Sequence, residues 1–342
     1  MRIAVDAQLA LGTATGIGEY VTGLIAGLRA RGLEVAALAQ PRLDPWRFDR
    51  RVLWDQVVLP ALANRSGSDL LHCASGTMPL LWRGPSVVTV HDVAWLRSQA
   101  HTRPYARYYF GAFSLARYAH ARRIVVDSEF SRSELLGFIP TPPQQVSVVY
   151  PGVASDYCTL VRRPDADPFI LCVGTVEPRK NLAVIIRALP HVGPQMRLVV
   201  AGPSTPYQQY CQDLAAQLGV GGRIDWLGYI AREQLLDLYA RAAVLVVPST
   251  YEGFGYAAAQ ALCAGLPLLV SNVSSLPEVV QGEAATLAPD DTAAWAAHLR
   301  TMVEERLFGQ QRADAVRHGA VGRFGWRASI SRMISVYEAA LA

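Results

Sequence analysis

The sequence predicts an α/β protein made of two doubly wound parallel-sheet domains in tandem. Three observations carry that expectation. Strand-like apolar runs alternate with helix-like stretches from end to end, the pattern of parallel sheets covered by helices on both faces. At 342 residues the chain is too long for one ordinary core and fits two domains of usual size. Its single lysine, Lys180, stands directly behind one apolar run, at the kind of strand end where open α/β sheets hold phosphate ligands.

Strands are expected at 2–6, 34–39, 86–91, 123–127, 146–149, 169–173, 196–201, 223–227, 243–247 and 267–271. Helices are expected at Glu19–Arg31, Leu182–Leu189, Tyr207–Leu218, Glu233–Ala242 and Tyr256–Ala264. The polar stretch Arg162–Pro168, with two prolines and two acidic residues, resists helix and strand alike. The domain boundary is therefore expected there, giving domains at 1–160 and 161–322. From Trp326 to Ala342, apolar residues at 330, 333, 334, 337 and 341 form a helical stripe. Residues 323–342 are expected to pack back towards the first domain.

An apolar fraction of 51% with 18% charged residues excludes a disordered chain. Net charge is +4, and residues 1–155 hold 16 arginines against 11 acidic residues. A basic half-molecule suits a nucleotide, an anionic membrane surface or nucleic acid. Cys73, Cys158, Cys172, Cys211 and Cys263 are scattered, without metal-ligand spacing, and read as reduced thiols. The chain enters at once into a strand, and no apolar stretch approaches the ~20 residues that span a bilayer, so a cytoplasmic location is expected.

Five segments could carry chemistry. Thr15-Gly16-Ile17-Gly18-Glu19-Tyr20 falls in the first strand-to-helix loop. Glycines there let backbone approach a ligand while the helix start offers N–H groups to an anion. A plain flexible loop is the alternative. Val21 stands where the dinucleotide fingerprint needs its third glycine, which excludes that motif. His91 and Asp92 end the third strand and point to the crevice at the sheet's carboxyl edge, unless His91 merely caps the strand.

The third segment is Gly174–Asn181. A helix starting near Asn181 would set its positive end beside Arg179 and Lys180, a cluster fit for a diphosphate whose leaving oxygen gathers charge. In the fourth, Pro248–Tyr256, Glu252 can accept hydrogen bonds from ligand hydroxyls while the amides behind it meet a phosphate. Gln260 follows on the same side of the helix. The fifth, Arg97–Arg123, interleaves six arginines with Tyr105, Tyr108, Tyr109, Phe110, Phe113 and Tyr118. It can lie in a membrane interface or form an ordinary helix with a wet basic face. No nucleic-acid module is present.

Taken in order, these segments resemble glycosyltransferase family 4, on the GT-B plan of two Rossmann-like domains facing a cleft. The carriers are Gly16–Tyr20, Val90–Asp92, Asp127–Ser131, Val149–Val153, Val173–Asn181, Leu227–Tyr229, Pro248–Gly255 and Ser271–Val279. The resemblance covers nearly the whole chain. It implies retaining transfer of a hexose from a nucleotide-diphosphate sugar to a hydroxyl of a glycan or lipid-linked acceptor, in polysaccharide or glycoconjugate biosynthesis. It implies no metal, no other cofactor and no nucleic acid; peripheral contact with the inner face of the cell membrane stays open. The Glu177–Asn181 and Ser274–Glu278 variants look most like bacterial mannosyl- and rhamnosyltransferases, which favours GDP-mannose or a related GDP-deoxyhexose.

By the same resemblance, Lys180 holds the donor diphosphate with Arg179 as helper, and Glu252 binds donor hydroxyls. Gly253, Phe254 and Gly255 face donor groups through their amides, and His91 lines the sugar near the reacting carbon. Gly16 and Gly18 sit by the phosphate and acceptor, while Gly228 and Tyr229 frame the base. Two positions depart from the family. Gln260 replaces the second glutamate of its E-x7-E motif, which accepts the ribose hydroxyls. Thr175 replaces an arginine that many members set at the diphosphate. A sugar-nucleotide epimerase of the same fold and a non-catalytic nucleotide-sugar binder are the rival readings.

Overall fold

The apolar runs pair in parallel into two six-stranded sheets. The computed structural model describes residues 1–11, 16–94, 104–304 and 310–342. The first sheet has the order β2-β1-β3-β4-β5-β6, with β1 at Arg2–Asp6, β2 at Glu34–Leu38, β3 at Leu70–Cys73, β4 at Ser86–Val90, β5 at Arg123–Val126 and β6 at Val146–Val148. The second has the order β12-β11-β10-β7-β8-β9. Its strands are β7 at Phe169–Val173, β8 at Arg197–Ala201, β9 at Ile224–Gly228, β10 at Val244–Val247, β11 at Leu268–Ser271 and β12 at Ala285–Leu287. Strand order reverses between β1 and β3 in one sheet and between β7 and β10 in the other. Such a reversal sends successive crossovers to opposite faces and leaves a crevice at the strands' carboxyl ends.

The chain divides into residues 1–152 with 326–342, and residues 153–325. Both boundaries differ from the expected 1–160, 161–322 and 323–342. Residues 153–160 belong to the second unit because Val153 N–H donates to Phe324 O (2.7 Å) and Tyr157 packs edge-on against Tyr239 at 5.0 Å. Gly325 stays there too, bridged to Val153. The polar stretch from Arg162 is a strap on the second unit, where the Arg162 guanidinium donates to the carbonyls of Ala240 and Ala242 at the end of the helix Arg232–Arg241.

Two strands lie outside the expected ten. β3 is short and carries the buried His72, whose ring nitrogens meet Thr89 Oγ1 and Tyr337 Oη, each at 2.7 Å. β12 is a three-residue edge strand. Each helix named from the sequence is present within a few residues: Gly16–Ala30, Leu182–Ala188, Tyr207–Gln217, Arg232–Arg241, Tyr256–Ala264 and Trp326–Leu341. Arg97 and Arg103 of the basic, aromatic segment lie outside the described residues. Its remainder folds as a run of helical turns over Pro104–Tyr118, with a π-helical turn at Tyr109–Phe113.

In the first unit, Ile3 and Val5 of β1 face Tyr20, Leu24, Leu28, Ile330, Met333 and Tyr337, while Ala4 faces the opposite layer with Trp54 and Tyr118. The first layer is closed by contact too tight for side chains. A Cβ on Gly23 would stand 2.1 Å from the Trp326 ring, and one on Gly27 would stand 2.6 Å from Ile330. Alanine at an exposed helix glycine stabilises by about 1 kcal/mol. Gly23→Ala should instead destabilise by about 1–3 kcal/mol, because the indole has nowhere to go. Urea unfolding decides by sign alone, and a stabilised variant would refute the packing.

Candidate active site

In the second unit, the loops leaving β7 and β10 meet at the switch point. Lys180 Nζ donates to Glu252 Oε1 at 2.6 Å, Ser249 Oγ donates to the same oxygen at 2.7 Å, and Arg179 Nη1 reaches Oε2 at 3.3 Å. Arg179 Nε lies 2.8 Å from Glu177 Oε1, so two cations are matched by two carboxylates. Burial pushes the Glu252 carboxyl up, but Lys180 and then Arg179 outweigh it and hold the group below the usual carboxylate range.

Backbone and hydroxyl contacts fix both loops. Thr250 N–H donates to Arg179 O at 2.8 Å. Asn181 adopts the left-handed conformation (φ 53°), and its Nδ2 donates to Pro248 O (3.1 Å) and Pro289 O (2.7 Å). Ser274 Oγ accepts the Glu252 N–H at 3.1 Å, and Ser275 Oγ donates to Glu252 O at 2.9 Å. Beside them the chain is stripped of side chains: a Cβ on Gly202 would stand 2.0 Å from Gly174 O, and Gly202 N–H donates to Gly228 O at 2.8 Å.

The remaining expected residues are placed unevenly. Thr175 lines the small hollow with Gly174, Lys180 and Ser249. Gly228 ends β9, followed by the half-exposed Tyr229. Gly253 and Gly255 flank Phe254, whose ring packs edge-on against Phe324 at 5.6 Å, so the ring belongs to the core. Gln260 is buried in the helix Tyr256–Ala264, where its Oε1 accepts from the Tyr239 hydroxyl at 3.2 Å.

In the first unit, β4 and β5 run in register with Val90 opposite Val126, so His91 and Asp127 emerge side by side. Asp127 Oδ2 is 2.7 Å from His91 Nδ1, and Ala74 O is 3.1 Å from Nε2. Both ring nitrogens face oxygens, which suits a doubly protonated ring. Burial pulls the His91 pKa down, yet Asp127, the Ala74 carbonyl and Asp92 together carry it above the ordinary imidazole value. Tyr20 meets the ring edge-on at 4.9 Å. Gly16 opens the first helix, and Gly18, two residues on, is buried. Among the described residues no group of three His, Cys, Asp or Glu is placed to hold a metal, and no helix is long and apolar enough to cross a membrane.

Residues 14–157 match the model described as Glycosyltransferase Family 4, and residues 161–320 match Glycosyl transferases group 1. The chain belongs to glycosyltransferase family 4. The O-antigen chain mannosyltransferase B of Escherichia coli is 29% identical to this glycosyltransferase over 74% of the chain and 70% of its own length. The chain spans 60–62% of the length of the next relatives. The fold is that of sucrose-phosphate synthase from Thermosynechococcus elongatus, with a TM-score of 0.80 at 20% identity over 99% of this chain and 98% of that one. It is also that of Anabaena HepE in complex with UDP-glucose, with a TM-score of 0.75 at 17% identity over 99% of both chains. Both placements make the glycosyltransferase one of the GT-B type.

Sequence reasoning gave no role to Asp127, Ser249, Ser274, Ser275 or Gly202. Ser249 left a usable signal as the first polar residue after an apolar strand, and so did Asp127, which like His91 directly follows one. Replacing Asp127 tests its pairing with His91. In Asp127→Asn the His91 ring should lose its proton at lower pH, read from imidazole nitrogen shifts. A raised folded value contributes stability that is present below ~6.5 and lost as pH rises through that value. The stability gap between the two chains should therefore be widest on the acid side and shrink with rising pH. An unmoved His91 titration would remove Asp127 from this role.

Proposed function

We propose that the chain is a retaining hexosyltransferase that moves mannose or a related deoxyhexose from a nucleotide-diphosphate sugar to a hydroxyl of a glycan or lipid-linked acceptor, without a metal, in polysaccharide or glycoconjugate assembly. The observation that carries the reading is the Lys180–Glu252–Arg179 cluster at the β7/β10 switch point. There Lys180 takes the charge that gathers on the departing diphosphate. Glu252 accepts from sugar hydroxyls, and the amides of Gly253 to Gly255 face donor oxygens. Thr175 adds one hydroxyl. Gly228 and Tyr229 frame the base, Gln260 serves the ribose side, and Gly16 and Gly18 stand by the phosphate and acceptor. His91 lines the sugar near the reacting carbon. The leaving phosphate oxygen serves as base for the incoming hydroxyl, through an oxocarbenium-like state.

The E. coli mannosyltransferase favours mannose, and so GDP-mannose, while UDP-glucose in HepE keeps uridine donors in play. The reading includes a cytoplasmic location with peripheral contact at a membrane surface, supported by exposed Tyr105 and Tyr108 beside Arg107. Gln260, already engaged by Tyr239, favours one rival: a nucleotide-sugar binder that never turns over.

Thermal unfolding with GDP, UDP and dTDP tests the site. One nucleotide at a hundred times its Kd should stabilise the chain by about 2.7 kcal/mol. Lys180→Ala should abolish that shift and lower turnover by roughly 10²–10³-fold while circular dichroism stays native. Near-normal turnover in the folded variant would refute the assignment.

A further inference from the structure

The chain's five cysteines are not alike. Cys73, Cys172, Cys211 and Cys263 are buried, whereas Cys158 is partly exposed. Cys158 also has a second thiol beside it. It ends the short helix Ser155–Cys158, which packs on the helix Tyr256–Ala264, and there its sulfur meets the Cys263 sulfur in a hydrogen bond. A metal site does not account for the meeting, because among the described residues no third His, Cys, Asp or Glu joins the pair.

The two sulfurs are unequal. The Cys263 S–H donates to Cys158 Sγ, a bond that favours the thiolate on Cys158. Burial opposes that charge and Arg317 supports it, so the Cys158 thiol lies below the usual thiol range. The same bond, together with burial, pushes the Cys263 thiol far up. Arg317 is fixed in place, donating through Nη1 to Leu160 O at 2.9 Å. Asp156 is the carboxylate that works against the thiolate, and it is already matched by Arg232 Nε at 2.9 Å. None of the other three cysteines has such a setting. Burial pushes Cys172 up to about 12, Cys211 up to about 11 and Cys73 well above its ordinary value.

A thiolate within reach of solvent, touching a protonated thiol, is the arrangement in which an oxidant takes one sulfur and the other resolves it. We propose that Cys158 and Cys263 are a peroxide-responsive thiol pair, with Cys158 the sulfur that reacts and Cys263 the sulfur that closes the disulfide. The Cys158 thiolate attacks one oxygen of hydrogen peroxide and the O–O bond breaks. The departing hydroxide takes up the proton that Cys158 had released, leaving a sulfenic acid and one water. The Cys263 sulfur then attacks Cys158 Sγ, the S–O bond breaks, and the second hydroxide leaves with the Cys263 proton as water. Two thiols are oxidised and one peroxide is reduced to two waters. The new bond ties Ser155–Cys158 to the helix that carries Gln260, whose partner Tyr239 packs against Tyr157 at 5.0 Å. The pair stands independently of the transferase reading.

Mass spectrometry on the full chain tests it. After a small excess of hydrogen peroxide, a maleimide added in denaturant should find all but two of the five thiols, and dithiothreitol should restore both. The linked peptides should be those holding Cys158 and Cys263, a readout that needs no variant. Cys158→Ser, at a partly exposed position, should slow thiol loss by roughly tenfold or more. In Cys263→Ala, checked for folding by circular dichroism, dimedone should trap a sulfenic acid on Cys158 and no disulfide should form. Five free thiols after peroxide, a link between other cysteines, or thiol loss as fast in Cys158→Ser would overturn the proposal.

Discussion

The ion pair between Lys180 and Glu252 is the constraint on which the second unit's crevice depends. Glu252 is nearly buried, and a carboxylate taken from water without a partner costs several kcal/mol. Its only close ammonium comes from a loop 72 residues away in sequence, brought near because β7 and β10 are neighbours at the point where strand order reverses. The pair therefore holds the two loops in one register. Breaking one partner of a buried pair costs about 3–5 kcal/mol, which accounts for the supporting contacts around it. Ser249 and Ser274 meet Glu252 by side chain and by backbone, and Asn181 ties the lysine loop to both Pro248 and Pro289.

The first unit follows the same rule with a different outcome at two histidines, the buried His72 and the partly buried His91. His72 faces two hydroxyls, and burial pushes its pKa down to about 3, so it stays neutral. His91 faces a carboxylate and a carbonyl, and its pKa is raised. The difference lies in what the nitrogens meet. Thr89 joins the two environments, since it bonds His72 while the Tyr20 hydroxyl reaches it at 3.2 Å and the Tyr20 ring touches His91. Orientation of the site histidine is thus built into the core packing of β3, β4 and the first helix.

This division of labour explains what the sequence discloses. Strands buried on both faces, such as Phe169–Val173 and Val244–Val247, are uninterrupted apolar runs and can be read directly. β3 cannot, because His72 breaks the run and its partners stand 17 and 265 positions away. The strap at Arg162–Pro168 looks like a linker since its contacts, to carbonyls at a helix end and in the Arg163–Asp237 and Asp165–Arg241 ion pairs, are with residues 74 to 80 positions away. Lys180, Glu252 and His91 are legible as polar residues at strand ends. Asp127 carries the same mark, but only strand adjacency pairs it with His91, as only the fold brings Ser274 to Glu252. Gln260 has a partner that spacing does not disclose, since the Tyr239 hydroxyl engages its amide oxygen.

The balance of charge in the second unit's crevice has a consequence for which ligands suit it. Arg179 and Lys180 are already matched by Glu177 and Glu252, so a diphosphate meets a cation in use. If the phosphate oxygens draw Lys180 away, Glu252 is left buried with fewer donors. Ser249 and the Ser274-bound backbone do not replace a lost positive charge. A nucleoside diphosphate alone offers nothing in exchange, whereas an attached hexose brings hydroxyl donors to the same carboxylate. On the proposed reading, the two parts of the donor bind cooperatively. A hydrogen bond to a charged group is worth about 1.5–3 kcal/mol, enough to favour the intact sugar nucleotide over the spent one by roughly tenfold or more. The lysine–glutamate pair then does more than hold two loops together: it makes the diphosphate and the sugar depend on one another.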